Sequence, residues 1–121
     1  AMSRPVQHAS AAAWNDETHV RENRRLYREK FDAVTPLVAA HLGTARPDAD
    51  FYLWARTPIT DTEFALGLQR EYNVTVLPGS YLARESGGVN PGEHFVRIAL
   101  VASLDECLEA ARRIEAFCRK L

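Results

Sequence analysis

The chain has 121 residues, 46% of them hydrophobic and 26% charged, with only six glycines and six prolines. That is enough for one compact domain with a packed core, and it excludes disorder, collagen-like repeats and low complexity. Fifteen basic residues against sixteen acidic ones leave a net charge of −1, so no overall field draws the chain to nucleic acid or an anionic membrane.

Residues 1–13 carry little apolar surface, so this segment is expected to be loosely held, although Ala11-Ala12-Ala13 favours a helix. Asn15, Asp16 and Thr18 can each cap a helix start. The long helix that follows has Val20, Tyr27, Phe31, Val34, Val38 and Leu42 along one stripe and charged residues elsewhere. Pro36 should kink it near Val34 or Thr35, and Leu42-Gly43 should end it. After a connection over 44–50, the aromatic and aliphatic run Phe51–Ala55 predicts a strand buried on both faces.

Thr60-x-x-Glu63 has the form of a capping box, opening a helix with Phe64, Ala65, Leu68 and Tyr72 inward and Asn73 at its end. Val74–Leu77 is β-branched and stops at Pro78-Gly79, which predicts a second strand and a turn. Residues 85–93 hold Gly87-Gly88 and Asn90-Pro91-Gly92, predicting a hairpin-like mobile loop, and Phe95–Val101 is the clearest strand. Ser103-x-x-Glu106 opens a last helix with Leu104, Leu108, Ala111, Ile114, Cys118 and Leu121 near one face. The fold class is therefore α+β, a small three-stranded sheet covered by helices in the order α-β-α-β-β-α. Three short strands leave surface for an absent partner.

Arg97 is the foremost candidate site residue. It sits mid-strand among apolar neighbours, and its guanidinium cannot shed its charge, so it needs a carboxylate, a phosphate or a route to water. The bland alternative is an edge-strand arginine that reaches solvent or pairs with an internal acid. Arg21, Arg24, Arg25, Arg28 and Lys30 are interrupted by Glu22 and Glu29 and spread around their helix, which favours a solvated face over a phosphate stripe. Cys107 and Cys118 lie about 16 Å apart along a helix axis, too far to bridge. His8, His19, His41 and His94 lack a second ligand at helical spacing, so no metal site is expected. Ser80 and Ser86 lack a nucleophile-elbow setting, and the glycines of 87–92 have neither Rossmann nor Walker spacing.

The series Val74–Tyr81, a glycine-containing loop, Phe95–Leu100 and a Ser103-Leu104-Asp105-Glu106 helix resembles the C-terminal part of class I/II pyridoxal-phosphate aminotransferases. Trp14-Asn15-Asp16, Arg21–Arg24, Tyr27–Phe31 and Phe51–Trp54 are similar to the same region, so the likeness covers roughly residues 7–121. Tyr81–Glu85, Asn90-Pro91-Gly92 and Val96–Val101 look most like bacterial succinyldiaminopimelate aminotransferases of lysine biosynthesis.

The resemblance implies that residues 14–121 form the small domain and 1–13 the end of a connection from a large domain. It implies that Arg97 grips the substrate α-carboxylate with both nitrogens of its fork and that Pro78, Gly79, Ser80 and Tyr81 lie at the site entrance. The parent is then expected to be a cytoplasmic, homodimeric transferase acting on amino and keto acids, with pyridoxal phosphate held by the large domain. Lys30 and Lys120 are the only lysines, and neither has the Ser-rich context of a Schiff-base lysine. The chain alone is thus expected to bind no cofactor and to be inactive, with no nucleic-acid or membrane partner. A free-standing α+β ligand-binding or regulatory module is the alternative.

Overall fold

A computed structural model describes residues 2–121. In chain order it has α1 (Arg4–Asn15), α2 (Thr18–Ala39), β1 (Tyr52–Arg56), α3 (Asp61–Tyr72), β2 (Leu77–Pro78), a 3-10 turn (Gly79–Tyr81), β3 (Phe95–Ala99) and α4 (Leu104–Cys118).

The segment predicted to be loosely held forms α1, with Pro5 in its first turn, where a missing N–H costs nothing. Not one α1 residue is buried, as its weak apolar content dictates. Glu17, none of the three expected caps, is the N-cap of α2, while the carboxylate of Asp16 before it accepts the Thr18 N–H at 2.9 Å and lies 3.2 Å from the His19 ring. Phe31, Val34, Val38 and Leu42 are buried as their spacing requires, with Tyr27 packed against them. The helix continues through Pro36 to Ala39.

The stripe of α2 packs on α4, whose Cys107, Ala111, Ile114 and Phe117 complete the core with Phe64 and Leu68 of α3. Phe117 meets Phe64 edge to face at 5.2 Å and Tyr72 at 5.9 Å. Each such fully buried large side chain contributes about 1.5–3 kcal/mol. The α4 capping box is complete: Ser103 Oγ accepts the Glu106 N–H and Glu106 accepts the Ser103 N–H. At α3 the two side chains satisfy each other, the Thr60 hydroxyl donating to Glu63 at 2.6 Å with no side-chain bond to the helix backbone. Asn73 ends α3 in the left-handed region at φ 52°, a conformation asparagine tolerates.

The sheet has the order β1-β3-β2 and is antiparallel throughout. β1 alternates instead of being buried on both faces: Leu53 and Ala55 are inaccessible, whereas Trp54 and Arg56 are exposed. The reason is that α2, α3 and α4 cover one face only. The second strand is also shorter than its β-branched run predicts. Leu77 and Pro78 alone pair with β3, while Val74 and Val76 are buried outside the ladder with Thr75 exposed between them. β3 ends at Ala99, and the Leu100 N–H still donates to the Phe51 carbonyl at 2.8 Å. Among the described residues no helix is long and apolar enough to cross a membrane.

Candidate functional site

β3 is the central strand. Alternation turns Val96 and Ile98 into the core and places Phe95, Arg97 and Ala99 on the face the helices leave open. Arg97 is therefore not an edge-strand arginine: Trp54 of β1 and Leu77 of β2 flank it in register on either side. Its guanidinium lies over the Tyr52 ring, 5.4 Å from the centroid, a contact that favours a cation without neutralising it. Trp54 stacks on Phe95 at 5.6 Å. An aromatic floor of Tyr52, Trp54 and Phe95 thus surrounds one half-buried cation.

Among the described residues no internal acid pairs with Arg97. The arginine ion pairs among them join Arg25 to Glu22 and Glu29, Arg112 and Arg113 to Glu109, Arg119 to Glu115 and Arg46 to Asp32. None reaches Arg97 among the described residues, and its buried Nε has no hydrogen-bond partner among them. A buried donor left unpaired costs about 1–3 kcal/mol. The aromatic neighbour carries its own perturbation: Asp50, accepting from the Tyr52 hydroxyl, raises that phenol above its ordinary value, against the pull of the Arg97 charge.

The turn predicted at the entrance stands beside this arginine. Pro78 pairs with Val96, one residue from Arg97, and is buried together with Gly79, while Ser80 is half-buried and Tyr81 exposed. Two supports of the turn escaped the sequence reading. Asp61, 2% exposed at the first turn of α3, accepts the Ser80 N–H on Oδ2 at 2.8 Å. Burial works to raise its carboxyl, yet bonds from the Ser80 hydroxyl and N–H, its own N–H and the His94 N–H outweigh that and hold it below the usual carboxylate range. Asn90 donates to the Ser80 carbonyl at 3.1 Å and accepts the Gly92 N–H at 3.0 Å. The 85–93 segment is a hairpin-like excursion as expected: Ser86 and Val89 exchange backbone bonds across Gly87-Gly88, both at positive φ.

The remaining candidates stand elsewhere. His41 lies 3.5 Å from Glu115, and His94 bonds the Ile59 carbonyl. Cys107 is buried and Cys118 half-buried, both free, with burial pushing both thiols up. Two open grooves, of about 560 and 610 Å³, run along α4 and along the first half of α2, and Arg97 lines neither. Among the described residues no cluster of three potential metal ligands occurs.

The family model for aminotransferase class I and II matches residues 1–114. The chain belongs to the class I and II aminotransferases. The enzymes of this family are transferases that use pyridoxal phosphate. Among its relatives, the LL-diaminopimelate aminotransferase of Maridesulfovibrio salexigens is 35% identical over 113 residues, 90% of this chain and 28% of that one. Transaminase BacF of Bacillus subtilis is 34% identical over 114 residues. An aminotransferase from Neisseria meningitidis superposes with a TM-score of 0.92 at 49% identity, covering 98% of this chain and 30% of that chain. A probable N-succinyldiaminopimelate aminotransferase from Thermus thermophilus gives 0.72 at 38% identity, covering 88% and 27%. The chain thus spans somewhat under a third of the aminotransferases it matches.

The two lysines do not fit the role of a cofactor lysine. Lys30 Nζ donates to the carbonyls of Leu100 and Val101 at 3.0 and 3.4 Å, and Lys120 pairs with Glu71 at 3.2 Å. Both ammonium groups are committed to joining elements of this fold, and neither is among the groups around Arg97.

Proposed function

We propose that residues 14–121 are the small domain of an aminotransferase and that Arg97 binds the α-carboxylate of its amino-acid and keto-acid substrates. The observation that carries this reading is an Arg97 Nε that is buried and unpaired among the described residues, on the uncovered face of the sheet. A planar carboxylate is the complement of the guanidinium fork: two parallel charge-assisted bonds neutralise the cation and fix the substrate's orientation. The Tyr52 ring and the Trp54–Phe95 stack exclude water from one side of that pair, which strengthens it. In such a parent, pyridoxal phosphate bound by residues outside this chain supplies the amino-transfer chemistry. The part of Arg97 is binding and orientation. The flanking turn Pro78–Tyr81 would border the entrance.

The relatives named for LL-diaminopimelate and N-succinyldiaminopimelate favour a substrate of the diaminopimelate route to lysine, so we assign the parent there. The test uses the intact enzyme with Arg97→Lys and Arg97→Ala. Removing a buried, hydrogen-bonded charge partner costs about 2–5 kcal/mol, so the specificity constant for the amino donor falls at least thirtyfold with Ala and less with Lys. Unchanged kinetics for Arg97→Ala refute the assignment.

A further inference from the structure

The carboxylate of Asp61 is buried at a helix start, a place where acids are ordinarily exposed. It is 2% exposed, and it has no cationic partner among the described residues. Instead it accepts the backbone N–H of Ser80 at 2.8 Å. It therefore ties α3 to the 3-10 turn. An acid at the first turn of α3 also faces the positive end of that helix, which favours its ionised form.

What Asp61 holds is the segment that borders Arg97. Ser80 follows Gly79, and Gly79 is wedged between the Phe95 carbonyl and the Trp54 indole: a Cβ there would come within 2.7 and 2.8 Å of them. Trp54 and Leu77 are the register partners of Arg97. β2 has only two ladder residues, too few to fix its own position on β3. Bonds from outside the sheet therefore help hold Leu77 and Pro78 in place, and the Asp61–Ser80 bond is one of them, beside the bond from Asn90 to the Ser80 carbonyl.

We propose that Asp61 is a positioning residue for the carboxylate site: by gripping Ser80 it seats the Gly79–Tyr81 turn against Trp54 and so fixes the walls on both sides of Arg97. This rests on the assignment of Arg97 to the substrate carboxylate. Asp61 does not touch the substrate. Its loss loosens the walls, and carboxylates bind more weakly while the chemistry of bound substrate is unchanged.

The experiment compares Asp61→Asn, Asp61→Ala and Arg97→Lys in the intact enzyme, measuring kcat and KM for the amino donor together with thermal melting. Asn keeps one acceptor for the Ser80 N–H without the charge, so KM rises about tenfold with Asn and further with Ala, while kcat stays within about threefold. A role in stability alone lowers the melting temperature and leaves the KM of the folded enzyme unchanged, and that result overturns the proposal. If Arg97→Lys raises KM and Asp61→Asn does not, Asp61 fails and the Arg97 assignment stands. An unchanged KM in Arg97→Lys overturns both. A second measurement needs no variant: deuterium exchange at the Ser80 amide of the wild-type enzyme, with and without propionate as a non-reacting carboxylate. Slower exchange with propionate is expected, and exchange indifferent to propionate overturns the coupling.

Discussion

Gly79 and Gly92 cross so closely that a methyl group on either would overlap the other's backbone carbonyl. The contact is backbone against backbone and no rotamer change relieves it. Gly92 also accepts the Phe95 N–H at 3.1 Å, so the crossing fixes where β3 begins. Gly79→Ala and Gly92→Ala should each destabilise the chain by about 2–4 kcal/mol, the range of forced overpacking and backbone displacement. Gly87 and Gly88 have open space around them but sit at φ 60° and 78°, so Ala there should cost only about 1–2 kcal/mol. Urea unfolding of the four variants checks the ranking, and equal losses at all four sites would contradict it.

Asp61 predicts a dependence on pH. Its carboxyl is held below the ordinary value of 3.8 by hydrogen bonds that outweigh burial. The stabilisation is therefore complete above the unfolded pKa and is lost as pH falls through the folded one. The melting temperature of the wild-type chain should exceed that of Asp61→Asn at pH 7, and the gap should narrow below about pH 4. A gap that stays constant down to pH 2.5 would show that the carboxylate is not held as an anion by Ser80.

The α4 capping box gives a smaller, cleaner effect. Ser103→Ala removes the acceptor for the Glu106 N–H on an exposed helix start and should cost about 1 kcal/mol. Thr60→Ala should cost less, since the Thr60 side chain bonds the Glu63 carboxylate and no helix N–H. Chemical denaturation of the pair resolves the difference.

Lys30 bridges α2 to the end of β3, and Lys120 bridges the C-terminus to α3. Incubation of this chain with one equivalent of pyridoxal phosphate, followed by borohydride, should give no stoichiometric adduct at either lysine in the mass spectrum. A trapped, one-to-one adduct at Lys30 or Lys120 would mean that this domain carries its own cofactor lysine.

Periodicity made the helical core legible, because Phe31, Val34, Val38 and Leu42 have no other way to share a face. It also placed Arg97 on a strand and raised the question of its partner. It could not say which strand is central, since order in a sheet is a property of pairing between distant segments. The β-branched run Val74–Val76 shows the same limit: its side chains alternate in and out as in a strand, yet its backbone meets no ladder, because β-propensity measures fit to a half-buried surface. Phe51–Ala55 looked buried throughout because aromatic residues were equated with interior ones. Trp54 and Tyr52 line the open face instead. Asp61 and the Gly79–Gly92 crossing were invisible for a different reason: each depends on two residues brought together only by the tertiary fold.

The middle position of β3 also bears on how the chain folds. Its longer partner, β1, lies on the far side of residues 57–94, and closing so long a loop costs entropy before any pairing repays it. The helices can form early from local contacts, but Arg97 gains its neighbours only when that loop has shut. During synthesis the proposed carboxylate site is then among the last features of the domain to form, so a variant that folds sluggishly here would accumulate chains with ordered helices and an unassembled sheet around Arg97.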